Sequence, residues 1–206
     1  MNSEPRDNRL ARFIRAVTKV EPQEQKATLV SFFFVFCLMA AYFIMRPARD
    51  ALSSDWSDTE LSLLWTSTFI FSVIAVSIYG GVISRIRFKI MVPAVYVFFA
   101  ATFVGFYVVG NTVGESDLVN RCFYVWLSVF SLFNLSVFWS FTSGIYNKDQ
   151  AKRTFAVIAT GAMLGAAVGP AVPLFFTDDI GALNLLLIGA VVLLLPIPLI
   201  GVLERL

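Results

Sequence analysis

The sequence predicts an all-α integral membrane protein of six transmembrane helices, with both termini on the cytoplasmic side. Composition is the first ground. Of the 206 residues 58 % are hydrophobic, more than a soluble domain carries. The second is the spacing of charge. Residues 27–46, 61–83, 90–110, 122–146, 154–177 and 180–203 hold no Lys, Arg, Asp or Glu, apart from the Arg46 that closes the first stretch. Each reaches about 19 residues or more, roughly what an α-helix needs to cross a ~30 Å hydrocarbon core. The third ground is where the basic residues fall. If six helices alternate, Arg6, Arg9, Arg12, Arg15, Lys19, Lys26, Arg85, Arg87, Lys89, Lys148, Lys152, Arg153 and Arg205 share one face, and only Arg46, Arg49 and Arg121 reach the other. The positive-inside bias puts the richer face in the cytoplasm.

Net charge is only +2, so no nucleic-acid footprint is expected. The basic excess is local and faces the anionic headgroups of the lipid bilayer. The chain divides into a cytoplasmic segment, 1–25, and a transmembrane domain, 26–206. In the first segment Leu10, Phe13, Ile14 and Val17 follow one helical face, with Arg9, Arg12 and Arg15 beside it. That pattern fits a helix lying in the membrane interface. The first apolar stretch is too long for a signal peptide and five more follow it. Pro47 is expected to kink or end the first helix. Ser57 and Asp58 with Glu60 offer a start for the second. The remaining connections are short, as between antiparallel neighbours, and spans 1–3 and 4–6 fit an inverted repeat because an odd number of spans flips the second unit. Cys37 and Cys122 fall in apolar surroundings on opposite membrane halves, which argues against a disulfide.

Polar groups at membrane depth are costly and often functional. No Asp, Glu, His, Lys or Arg lies well inside a span, and the chain has no His at all. A metal centre, a cofactor site and enzyme activity are therefore not expected. The best candidate site is the end of the first span. Arg46, Arg49 and Asp50 share one face if the helix continues past Pro47. Two guanidiniums on one face suit a phosphate or carboxylate, although interfacial anchoring toward headgroups is the favoured reading from the residues alone. Asn134, with Ser131 and Thr142, lines a polar path or bonds neighbouring helices. Trp126 and Trp139 read as interfacial or packing aromatics. Gly161, Gly165 and Gly169 recur every fourth residue and invite a close helix contact, static or mobile. Pro170 and Pro173 loosen the backbone ladder after it.

The run GAAVGP in the fifth span resembles the G-x-x-x-G-P signature of major facilitator transporters. The connection GGVISRIRFK resembles that superfamily's loop motif, with Gly80, Arg85 and Lys89 in place, Ser84 where Asp is usual and Arg87 where Gly is usual. Six spans with both termini inside then resemble the amino-terminal half of a twelve-helix transporter. More narrowly, YFIMRPARDAL, FNLSVFWSF and QAKRTFAVIATGAMLGAAVGP resemble the ATP/ADP translocase branch and its bacterial relatives, over about residues 20–173. The resemblance implies exchange of anionic, phosphate-bearing solutes in a bacterial inner membrane, with Arg46, Arg49 and Asp50 at the substrate. Nucleotide exchangers of that branch need an acid in the fourth span, where this chain has none between Arg121 and Asp149.

The expected function is a secondary transporter moving a small organic or phosphate-bearing anion by alternating access. A nucleotide exchanger and a non-transporting membrane scaffold are the alternatives. The chain ends just after span six, where a central linker would begin. A missing carboxy-terminal six-helix half or a second protomer is the expected partner.

Overall fold

The computed structural model describes residues 20–83, 88–114, 116–181, 183–203 and 205. Among them the regular elements are all α-helices: α1 (Gln25–Leu52), α2 (Asp58–Ile83), α3 (Phe88–Val113), α4 (Asp117–Ile145), α5 (Lys148–Val168), α6 (Ala171–Ile180), α7 (Asn184–Leu194) and α8 (Ile197–Leu203). Six helical spans are long and apolar enough to cross a membrane. The fifth, Lys148–Phe176, joins α5 to α6, and the sixth, Asn184–Leu203, joins α7 to α8. The amphipathic stretch 10–17 and Arg85 lie outside the described residues, whereas Gly80 stands near the end of α2 and Lys89 in the first turn of α3.

Local chemistry accounts for the helix ends. Pro47 lies inside α1 and the helix continues to Leu52, so it does not end there as the proline alone would suggest. At the start of α2 the Ser57 N–H donates to Glu60 Oε2 at 2.9 Å, and the Glu60 N–H reaches back to Ser57 Oγ at 3.4 Å. This is a capping box. Asn147 and Gln150 form another at the start of α5. Proline interrupts the last two spans. The Gly169 carbonyl would normally accept from residue 173, but Pro173 has no N–H. It accepts from Val172 at 3.2 Å instead. Pro196 has the same effect in span six, where the Val192 carbonyl takes the Leu195 N–H at 3.3 Å.

α1 is the central helix. It packs against α4, α5, α7 and α8, while α3 packs against α4, α7 and α8, and α2 against α4. Exchanging spans 1–3 for spans 4–6 carries the 1–5 pairing into 4–2 and the 1–6 pairing into 4–3, and leaves 1–4 and 3–6 unchanged. The contact beside the turn between spans five and six is the exception among the close pairs.

The core between α1, α3 and α4 is aromatic. Phe34 meets Phe138 at 5.2 Å and Tyr96 at 5.8 Å, both edge to face, and Phe103 meets Phe130 at 5.2 Å. Such edge contacts add to the area that the rings bury. The outer face of α2 is equally apolar but uncovered. Leu63, Phe69 and Ile78 are each more than 60 % exposed, which suits lipid rather than water.

The α1–α5 contact is the tightest helix pair at the backbone. A Cβ on Gly161 would stand 2.5 Å from the Phe32 carbonyl oxygen, one on Gly169 would stand 2.6 Å from Phe43 Cβ, and one on Gly165 would overlap the Phe36 carbonyl. The four-residue glycine period therefore acts as a seam along which α5 touches the α1 main chain. Replacing Gly165 by Leu forces that seam apart. We expect a loss of about 1–3 kcal/mol, the usual cost of overpacking, read as a lower Tm in detergent. Gly144→Ala meets nothing within 4 Å and should leave Tm unchanged.

Candidate functional site

Because α1 continues through Pro47, Arg46, Arg49 and Asp50 stand on its last two turns. The Asp50 carboxylate holds both arginines. Its Oδ2 accepts from Arg46 Nε at 3.2 Å, and its Oδ1 accepts from Arg49 Nε at 2.9 Å and Nη2 at 2.6 Å. The two arginines differ in surroundings. The Arg49 side chain is 13 % exposed, against 45 % for Arg46. Arg49 also donates to Ser128 Oγ on α4 at 3.2 Å and lies 5.3 Å from the Tyr124 ring centre. Arg46 packs its guanidinium over Phe43 and, among the described residues, bonds only through Nε, which leaves its two Nη groups facing no described acceptor.

The cluster continues across α4 to α2. Tyr124 meets Trp56 edge to face at 5.5 Å, and Arg121 lies 5.8 Å from the Trp56 ring centre. Trp65 Nε1 donates to the Tyr124 hydroxyl at 3.0 Å. Arg121 pairs with Glu60 at 2.5 Å and Asp117 at 2.8 Å. Two touching rings, Tyr124 and Trp56, thus lie between the guanidiniums of Arg49 and Arg121, and Arg46, Arg49 and Arg121 are balanced by Asp50, Glu60 and Asp117. Cation–π contacts of this kind bring rigidity at modest energy.

One face of the α1–α4 pair is left uncovered. On α1, Leu38 and Arg49 turn to α4, whereas Phe32, Phe36 and Phe43 meet α5. Tyr42 and Arg46 fall between these two sides and are half-buried and exposed respectively. On α4, Phe130 and Phe133 meet α3, Phe133 also meets Tyr79 of α2, and Phe138 meets Phe34 of α1. Leu132, Ser136 and Ser143 fall in the remaining sector and are exposed. Because α3 packs behind the pair, both free sectors look out on the same side, between α2 and α5. That face combines Arg46, Asp50, the Tyr42 hydroxyl and the serines of α4.

Asn134 is elsewhere. It is 2 % exposed and lies inside the α1–α3–α4 core. Its Nδ2 donates to the Leu38 carbonyl at 3.3 Å, its backbone carbonyl accepts from the Tyr96 hydroxyl at 3.3 Å, and its Oδ1 has no partner. It bonds helices together and does not reach the open face. Thr142 Oγ1 turns to the Phe138 carbonyl of its own helix, and Ser131 to that of Ser128. Trp126 donates to Thr102 Oγ1 on α3 at 2.8 Å, and Trp139 packs on Phe155 of α5. Gly161, Gly165 and Gly169 form the α1 seam, with Pro170 in the turn that follows. Cys37 is half-buried, Cys122 is exposed, and both are free.

A second polar cluster closes the other end of α1. Glu24 precedes the helix and its side chain is 2 % exposed. Arg153 on α5 forks onto it, through Nη2 at 2.5 Å and Nε at 3.3 Å, with Glu21 3.3 Å from the same guanidinium. Beside it the Ser31 and Tyr146 hydroxyls share a 3.0 Å bond. The pair joins residues 129 apart, with no local spacing to reveal it. The Trp56–Tyr124 stack was likewise hidden, although Trp and Tyr near the span ends are its only sequence trace.

Neither a protein-family model, nor a curated protein, nor a solved structure matches this chain.

Arg153 holds the Glu24 carboxyl below the usual carboxylate range, against the opposing effect of its burial. The stabilisation is complete above the ordinary carboxylate pKa and is lost as pH falls through the depressed folded value. Glu24→Gln should therefore lower Tm at neutral pH, and the gap to wild type should narrow on acidification. A pH-independent gap would show that the carboxylate charge is not what matters.

Proposed function

We propose that the chain is one half of a major-facilitator-type secondary transporter that moves a small organic or phosphate-bearing anion by alternating access. The observation that carries this reading is the uncovered α1–α4 face. In six otherwise apolar spans it offers an exposed guanidinium with unused donors, a carboxylate and several hydroxyls. A scaffold would be expected to close its polar groups inside the bundle, as Asn134 is closed. The near-symmetrical pairing of spans 1–3 with spans 4–6 also favours it, since inverted repeats place a substrate between two rocking units. The second unit is a carboxy-terminal six-helix half or another copy, set against this face. A bacterial inner membrane is the proposed location, with both termini in the cytoplasm.

Arg46 is the proposed anion contact, because its Nη groups are available. Arg49, tied to Asp50, Ser128 and Tyr124, positions the Asp50 carboxylate and holds α1 to α4. ATP/ADP-type exchange is the narrower version of this reading. The lack of an acid between Arg121 and Asp149 weighs against it and in favour of another anion.

The direct test is uptake into proteoliposomes by the full-length protein, comparing labelled nucleotides with other labelled organic anions. Uptake of at least one anion is expected. Arg46→Ala should raise KM by roughly 10–100-fold, since a hydrogen bond to a charged group contributes about 1.5–3 kcal/mol. Unchanged uptake in a variant lacking both Arg46 and Arg49 would remove the site. Absence of uptake for every anion would leave the scaffold reading. Orientation is tested separately. A cysteine at Lys152, which is 77 % exposed, should resist membrane-impermeant thiol reagents in intact cells, and ready labelling would invert the topology.

A further inference from the structure

A cavity of about 420 Å³ lies behind α1, on the side opposite Arg46. Its inner part is walled by Ala48 of α1, Phe106 of α3 and Phe123 of α4, one to two turns inside the ends of their helices, and by Leu186 in the first turn of α7. Its outer part reaches Leu52 and Asn120, where α1 ends and α4 begins. The size is that of a small-molecule site. Among the described residues no charged one lines it, which sets it apart from the anion face. Among the described lining residues Asn120 is the one with a polar side chain, and it stands at the outer end. The cavity is therefore graded, apolar within and hydrogen-bonding at the level where four spans leave the hydrocarbon.

What separates this space from the surroundings also matters. Gly110 of α3 has no side chain, and Leu183 lies across it: a Cβ there would stand 2.9 Å from Leu183 Cδ2. Leu183 is itself 40 % exposed, and its neighbours on α3, Val109 and Val113, are 40 % and 63 % exposed. A single flexible leucine on an apolar, outward-facing surface thus closes one wall. The described lining residues offer a solute from water no charge to hold it, whereas in a bilayer this outward-facing apolar surface would border lipid chains.

We propose that this cavity holds one acyl chain of a bilayer phospholipid, with the Asn120 amide donating to the ester carbonyl at the head of that chain. The site is separate from the proposed anion contact and does not depend on it. A bound chain would tie spans one, three, four and six together at this end of the bundle.

The test uses the full chain in phosphatidylcholine vesicles containing a phosphatidylcholine whose acyl chain carries a terminal diazirine. After illumination, labelled peptides are mapped by mass spectrometry. Labelling at Ala48 and Phe106 should exceed that on the exposed α2 residues Phe69 and Ile78, which report ordinary lipid contact. Ala51→Trp places an indole in the cavity and should abolish the excess while α2 labelling persists. Labelling of the cavity no denser than that of α2 in the wild-type protein would overturn the proposal without any variant. So would an excess that survives Ala51→Trp in protein whose helical content is unchanged.

Discussion

The contact of α5 with the bare backbone of α1 is the constraint on which the arrangement depends. Lipid tails are as apolar as leucine, so burial alone gives helices in a bilayer little reason to associate. Close main-chain approach and interlocking side chains must supply it. Gly161, Gly165 and Gly169 bring α5 against the Phe32 and Phe36 carbonyls. With one side of α1 taken up in this way, the phenylalanines of its other side meet α3 and α4. The sector of the α1–α4 pair that remains between α2 and α5 becomes the uncovered face.

Polar chemistry is distributed in keeping with the same solvent. Backbone groups are satisfied within helices, as hydrocarbon demands. Charges gather at the two ends of the bundle and are paired there. At one end Glu24 and Arg153 tie the start of α1 to the start of α5. At the other, Arg49 and Arg121 tie α1, α2 and α4 through Asp50, Glu60 and the Trp56–Tyr124 stack. Among the described residues Arg46 differs from these in bonding through Nε alone. It is also the guanidinium that stands on the open face.

The bundle has two dissimilar surfaces around α1. In front, Arg46, Asp50, Tyr42 and serines form a polar strip suited to a hydrated anion. Behind, the cavity near Leu52 and Asn120 is apolar and lies beside outward-facing valines. One helix thus borders two environments, because residues a half-turn apart point in opposite directions. The serine-rich α4 contributes to both, with Ser136 in front and Phe123 behind.

Much of this was legible from the chain. Long uncharged stretches are expected to be helices, since hydrocarbon leaves the backbone few other forms, and six helices long and apolar enough to cross a membrane were found. Glycine spaced by four must present one bare stripe, although the partner it touches could not be read. Nor could the fate of Asn134. Its polarity pointed to helix packing ahead of a binding path, and the fold turned it inward to the Leu38 carbonyl. The pairing of Glu24 with Arg153 and the division of labour between Arg46 and Arg49 likewise came only with the tertiary structure. The sequence by itself determined which segments are helices and where charge is affordable, because both follow from local pattern and solvent. Which faces meet, which arginine is left open and where a cavity remains were decided by packing between residues far apart in the chain.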